Sequence, residues 1–170
     1  MNVGAIKIYT FPMLVKDLVK ISYVAVRGRD KEEGAVQRVL NKKRISLIKQ
    51  YVLDGNMCVN IFVINWNDEN YVPEIENGKI KIPLVDSVAQ LIDGQHRLEG
   101  LKEALKVDED ISKKELLVSM VIGLNTKAAA KIFININSEQ RPVPKSLIFD
   151  LYGVTEDDKN FSIIRAGDIA

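Results

Sequence analysis

Cysteine and histidine are nearly absent from this 170-residue chain, which contains one of each. A lone Cys58 cannot form a disulfide within the chain, and one thiol with one imidazole cannot make a His/Cys zinc site. No hydrophobic run approaches the length that crosses a bilayer. No basic stretch followed by a long apolar one opens the chain, so no secretory signal is visible. We therefore expect a cytoplasmic protein with no membrane partner.

An excess of charge of one sign is also missing. The 24 basic and 23 acidic residues give a net charge of +1, so no chain-wide basic field indicates nucleic acid. Any contact with DNA would have to come from a local patch. The remaining composition, 46% hydrophobic and 28% charged, is typical of a globular domain with a real core.

The most informative stretch runs from Val88 to Leu101. It begins as an apolar run of strand length, which Asp93-Gly94 interrupts. Leucines at helical spacing follow, at Leu98, Leu101 and Leu105. The sequence therefore predicts a strand that passes directly into a helix.

The polar residues at this junction suit an anion. A helix start offers unpaired backbone N–H groups and the positive end of a dipole. Gly94 would let the backbone approach a ligand, Arg97 has a fork of donors that fits phosphate, and His96 adds another donor. The residues indicate a phosphate-binding turn. From this stretch alone, a plain Asp-Gly turn with solvated side chains is an equal alternative.

Strand and helix patterns alternate along the rest of the chain. Asn77-Gly78 between two β-rich runs predicts a hairpin, and Pro12 is expected to end the first strand. Helical patterns cover 14–21, 44–53, 95–106, the stretch from Asn125 or Thr126 onward, and 145–152, and strand patterns cover 3–10, 57–66, 88–92 and 116–123. The alternation indicates an α/β or α+β fold with a mixed sheet.

Residues 93–97, Asp-Gly-Gln-His-Arg, resemble the signature of the DGQHR-domain family, which includes the DndB proteins associated with DNA sulfur modification. A second segment is similar to that family as well. Its members carry a phenylalanine, an asparagine, and a glutamine with a basic residue before Pro-Val, which here resemble Phe133, Asn137, Gln140 and Arg141. An upstream Gln37-Arg38 also resembles the family. Together the matching segments cover roughly residues 35 to 152.

The resemblance implies a ParB/sulfiredoxin-like fold, a mixed sheet flanked by helices. It implies one domain over residues 1–153 and a C-terminal extension, or the start of a further region, over 154–170. The implied catalytic residues are Asp93, His96 and Arg97, and the implied ligand-binding residues are Gly94, Gln95, Arg97, Arg38, Asn137, Gln140 and Arg141. The alternatives are that Arg38 lies on an exposed helix face, Asn137 caps a helix and Arg141 is exposed.

Two functions follow from the resemblance. The first is a domain that binds, or also hydrolyses, a nucleotide such as ATP or CTP, with Mg²⁺ held by Asp93 or Glu99 and Arg97 stabilising a transferred phosphoryl group. Gln95 stands where the sulfiredoxin branch has its cysteine, so sulfinic-acid reduction is not expected. The second is a non-catalytic DNA-binding regulator, in which Arg97, Arg141 and Lys145 contact the DNA backbone. Either would work with other DNA-modification proteins. A subunit-docking module is a third alternative.

Overall fold

The computed structural model of the protein describes residues 2–3, 6–24 and 40–138. The strands are β1 (Asn2–Val3), β2 (Ile6–Lys7), β3 (Tyr9–Leu14), β4 (Ser22–Tyr23), β5 (Phe62–Trp66), β6 (Glu74–Glu76), β7 (Lys79–Lys81), β8 (Ala89–Asp93) and β9 (Glu115–Ile122). The helices are α1 (Val15–Ile21), α2 (Lys42–Leu53), α3 (Gln95–Leu105) and α4 (Thr126–Ser138), with a 3₁₀ helix, η1 (Glu109–Lys113).

Five strands form a mixed sheet in the order β3–β9–β5–β8–β4. β3 is antiparallel to β9, β9 is parallel to β5, β5 is antiparallel to β8, and β8 is parallel to β4. This arrangement confirms the predicted mixed sheet flanked by helices. The predicted hairpin is also present as β6 and β7, and both turn residues, Asn77 and Gly78, have positive φ, as a tight hairpin turn requires.

Alternation along the strands divides the apolar side chains between the two faces of the sheet. Phe62, Ile64 and Trp66 of β5 enter a core that α1, α2, α3 and η1 help to form. Leu98 and Leu101 bring α3 into this core and are fully buried, which stabilises the fold by about 1.5–3 kcal/mol per side chain. On the opposite face, α4 contributes to a smaller cluster around Ile92, Val121 and Ala129.

A glycine sets the distance between α2 and α3. A Cβ on Gly100 would lie 2.7 Å from the Cβ of Ile48, closer than packed carbon atoms approach. The two helices therefore pack with their backbones close together at this point, and no side chain larger than hydrogen fits without moving one of them.

Two expectations about strand boundaries are wrong. Pro12 does not end the first strand, because β3 runs through it to Leu14 with Pro12 opposite Leu117. Proline is tolerated there because β3 is an edge strand, where a missing N–H can face away from the ladder. The strand predicted from 57 begins only at Phe62, and the carbonyls of the two preceding residues accept hydrogen bonds from the side chain of Arg97.

Several expectations concern residues outside the described ranges. Arg38, Gln140, Arg141, the helix over 145–152 and the domain boundary at 153 all lie there. Within the described part of the chain, every helix is too short or too polar to cross a bilayer.

Candidate functional site

The predicted passage from strand to helix is present at Asp93-Gly94. β8 ends at Asp93, Gly94 adopts a left-handed conformation with φ 104°, and α3 begins at Gln95. A Cβ on Gly94 would lie 2.6 Å from Cδ1 of Phe62 and 3.2 Å from Nη2 of Arg97. Glycine is therefore required both by φ and by space. Side chains of the protein occupy the position that this Cβ would take, and the predicted approach of a ligand to the backbone of Gly94 stays a prediction.

Arg97 anchors this turn to the strand beside it. Its Nη2 donates to Oδ2 of Asp93 at 2.7 Å and to the carbonyl of Ile61 at 3.1 Å, and its Nη1 donates to the carbonyl of Asn60. The guanidinium also lies over the ring of Phe62, 4.4 Å from its centroid. The side chains of Arg97 and Asp93 are only 17% and 24% exposed. In this arrangement Arg97 clamps the turn, and its charge is balanced by Asp93.

His96 joins the turn to α2. Its Nε2 accepts the backbone N–H of Asn41 at 3.1 Å, and Asn41 is the N-cap of α2. The side-chain oxygen of Asn41 in turn accepts the N–H groups of Lys43 and Arg44 at 2.9 and 3.2 Å. The starts of α2 and α3 therefore lie next to each other.

No side chain caps the start of α3. Asn41, Asp108 and Asn125 accept backbone N–H groups at the starts of α2, η1 and α4, whereas the N-cap residues of α1 and α3 make no side-chain hydrogen bond. At α1 the carbonyl of Lys114 accepts the N–H of Val15 instead. In the first turn of α3, Gln95 is only 6% exposed, and its Nε2 has no hydrogen-bond partner. Buried amide donors without a partner are costly and call for an explanation.

Three consecutive basic residues at the start of α2 were missed by the sequence analysis as a group. Lys42, Lys43 and Arg44, here called the basic turn, are all exposed. No described acidic side chain forms an ion pair with them. A helix start favours acidic residues, because the positive end of the dipole lies there. Three cations at that position are the signal that could have identified this surface.

The second family segment approaches the same end of the sheet from the other face. α4 follows β9 and packs against β8 and the cluster around Ile92. Since β8 is antiparallel to β5 and β5 is parallel to β9, a helix returning along β9 ends near the C-terminal end of β8. Asn137 lies in the last turn of α4, and its Nδ2 donates to the carbonyl of Phe133 at 2.8 Å. It lies inside the helix and does not terminate it.

Two carboxylates and the single thiol of the chain also lie near the turn. Glu99 pairs with Lys102 at 2.7 Å, and Asp93 pairs with Arg97. Among the described residues, no group of three or more His, Cys, Asp or Glu side chains could hold a metal ion. Burial raises the pKa of the Cys58 thiol, and the nearby charge of Arg97 partly opposes that shift. Cys58 is therefore a protonated thiol at neutral pH.

The fold and the turn define a mixed α/β domain with a strand–turn–helix element anchored by arginine. A family model for DndB, described as DNA-sulfur modification-associated, matches residues 1–164. The chain therefore belongs to the DndB family, as the Asp-Gly-Gln-His-Arg motif predicted. No curated protein matches the chain. No solved structure matches it either, so the likeness to the ParB/sulfiredoxin fold stays a prediction.

Proposed function

We propose that this chain serves DNA sulfur modification as a phosphate-binding domain, and that the start of α3 receives the phosphates of a nucleotide such as ATP or CTP. The observation that carries the proposal is the uncapped start of α3, which contains the buried, unpaired Nε2 of Gln95. A phosphate there would accept backbone N–H groups and would be stabilised by the helix dipole. The buried amide of Gln95 would join them once its side chain turns toward the ligand.

The neighbouring basic turn supports the same ligand. Lys42, Lys43 and Arg44 lie at the start of α2, which His96 holds beside the start of α3. A ligand with several phosphates would reach both helix starts, and Mg²⁺ would arrive with it because its hard oxygen ligands include phosphate. Hydrolysis belongs to the same proposal, with Asp93 and Arg97 as the candidate catalytic residues and with His96, the third residue that the motif nominated, beside them.

The main role of Arg97 in this proposal is to hold the turn in shape through its hydrogen bonds. Three of its five N–H donors are taken by Asp93 and two carbonyls. A phosphate could therefore bind only the two remaining donors, on the side of the guanidinium that faces away from these acceptors. The binding residues that the sequence nominated elsewhere, Asn137, Arg38, Gln140 and Arg141, remain candidates for the same ligand.

The test is isothermal titration with ATP, CTP and GTP, each with and without Mg²⁺. The informative variant is Gln95→Leu, which keeps the size of the side chain and removes the amide. Removing an unpaired buried donor is expected to leave stability equal or raise it by about 1 kcal/mol, while affinity falls at least tenfold. Gln50→Leu, at an exposed position of α2, is the matched control and should bind like the wild type. Absence of heat with all three nucleotides contradicts nucleotide binding.

A second candidate is contact with the DNA backbone, which the exposed, unpaired basic turn favours. Each lysine or arginine that neutralises a DNA phosphate releases counterions, so affinity falls steeply with salt. The triple variant Lys42→Gln/Lys43→Gln/Arg44→Gln should then lower both the affinity and the salt slope. The control replaces three exposed cations on other elements, Lys79 and Lys81 of β7 and Lys127 of α4. If both triple variants bind duplex DNA equally, the basic turn is not the contact.

A further inference from the structure

The side chain of His96 accepts a hydrogen bond, whereas a phosphate-binding cation would donate one. Its Nε2 accepts the N–H of Asn41 at 3.1 Å, and an imidazole nitrogen that accepts a hydrogen bond carries no proton. In this contact Nε2 therefore carries no proton, and the ring is neutral. A neutral acceptor aimed at a backbone N–H does not serve as a positive donor to an anion through the same nitrogen.

Asn41 forms hydrogen bonds through three polar groups, and among the described helices only α3 supplies one from outside α2, through His96. The side-chain oxygen of Asn41 accepts from Lys43 and Arg44, and its carbonyl accepts the N–H of Ile45 at 3.1 Å. These bonds lie within α2 and fix the form of its first turn. The bond to His96 fixes where that turn lies relative to α3. The close packing at Gly100 reaches Ile48 and the carbonyl of Ile45, which would lie 3.4 Å from a Cβ on Gly100, so the bond to His96 acts on the residues of α2 ahead of Ile45.

We propose that His96 is a positioning residue: its neutral imidazole holds Asn41 and thereby places the basic turn of α2 beside the start of α3, so that both act on one polyphosphate ligand. This inference rests on the proposed function and gives it a ligand class, because two adjacent helix starts fit a chain of phosphates better than a single one. His96 thus belongs to the site without being a phosphate ligand.

Three substitutions of His96 separate positioning from direct binding. Glutamine places an acceptor close to the position of Nε2, asparagine is too short to reach Asn41, and lysine supplies a cation with no acceptor. With Mg²⁺-ATP as the probe, His96→Gln is expected to bind within threefold of wild type, and His96→Asn and His96→Lys at least tenfold more weakly. Retained binding by His96→Lys with loss in His96→Gln would overturn the proposal in favour of a direct cationic ligand.

A double-mutant cycle distinguishes positioning from general destabilisation. Neutralising the basic turn, as Lys42→Gln/Lys43→Gln/Arg44→Gln, is expected to weaken binding at least tenfold in the wild-type and His96→Gln backgrounds. In the His96→Asn background the same triple change is expected to matter less than threefold, because the turn is already misplaced. Equal effects in all three backgrounds would contradict the inference.

Hydrogen exchange at the amide of Asn41 tests the contact without any ligand. That N–H should exchange at least tenfold faster in His96→Asn and His96→Lys than in the wild type and His96→Gln, with the amides in the middle of α2 unchanged. If ATP binds to no variant but this pattern holds, the proposed function fails and the positioning contact stands. If the Asn41 amide exchanges at the same rate in all four proteins, the inference fails whatever the binding result.

Discussion

Replacing Arg97 by methionine tests whether this side chain holds the turn together. Methionine keeps much of the apolar stem against Phe62 and removes every donor. The change removes the guanidinium that lies 2.7 Å from Asp93 and leaves that carboxylate, whose side chain is only 24% exposed, without its ion-pair partner. It also leaves the carbonyls of Asn60 and Ile61 without the donors that hold them.

The expected loss can be estimated contact by contact. A hydrogen bond to a charged group contributes about 1.5–3 kcal/mol and a neutral one about 0.5–1.5 kcal/mol, and a cation–π contact contributes about 0.5–2 kcal/mol. These contributions are not additive, and water will reach the freed groups. We therefore expect the free energy of unfolding to fall by about 2–4 kcal/mol. For a chain of this size, that lowers Tm by roughly 5–15 °C.

Denaturant unfolding monitored by circular dichroism measures this change, and a cycle with Asp93→Asn isolates the ion pair. The control is Lys106→Met, which breaks an exposed pair with Glu103 at the end of α3 and should leave the unfolding midpoint close to that of the wild type. If Arg97→Met unfolds as the control does, the contacts of Arg97 are incidental. The side chain would then be available to a ligand after all.

Three further predictions concern the helix packing at Gly100, the buried amide of Asn65 and the thiol of Cys58. Gly100→Ala should destabilise by about 1–3 kcal/mol despite the better helix propensity of alanine, because its Cβ would overlap Ile48; a stabilised variant in thermal melts would refute the close helix packing. Asn65→Ala should cost about 2–4 kcal/mol in denaturant unfolding, since fully buried Asn65 bonds both backbone groups of one residue in the loop after β9; a loss below about 0.5 kcal/mol would show that water replaces it. Cys58 has a pKa raised by burial and lowered by Arg97, so its alkylation by iodoacetamide should require higher pH than a free thiol does, and Arg97→Met should move that profile to still higher pH. A profile unchanged by Arg97→Met would contradict the electrostatic contact.

The elements with strong local signals could be predicted from the sequence. The hairpin at Asn77-Gly78, the strand–turn–helix at Asp93-Gly94 and the start of α4 after Asn125 all depend on residues close together in the chain. The early end of the first strand was wrong because the effect of Pro12 depends on whether its strand is at the sheet edge. That position is set by β9, more than a hundred residues away, and no local pattern contains it.

The motif predicted the passage from strand to helix, but not the contacts that its side chains make. The sequence correctly placed Gly94 and Arg97 at a helix start, yet it could not show that Phe62 and Asp93 occupy their immediate surroundings. Those contacts join β5 to α3 across the fold. The hydrogen bond from Asn41 to His96 joins residues 55 positions apart, so the accepting role of His96 was equally hidden from local patterns.

The place of β9 in the sheet has a consequence for the growing chain on the ribosome. β9 pairs with β3 on one side and β5 on the other, and it ends at Ile122. After β3 emerges, roughly a hundred further residues must be made before its partner exists, which takes about 5–20 s at ordinary translation rates. During that interval β3 and one edge of β5 have unpaired backbone groups, the kind of surface that aggregates with neighbouring chains. Release of a chain truncated before β9 should therefore yield insoluble protein that molecular chaperones retain, whereas release beyond Ile122 allows the sheet to close.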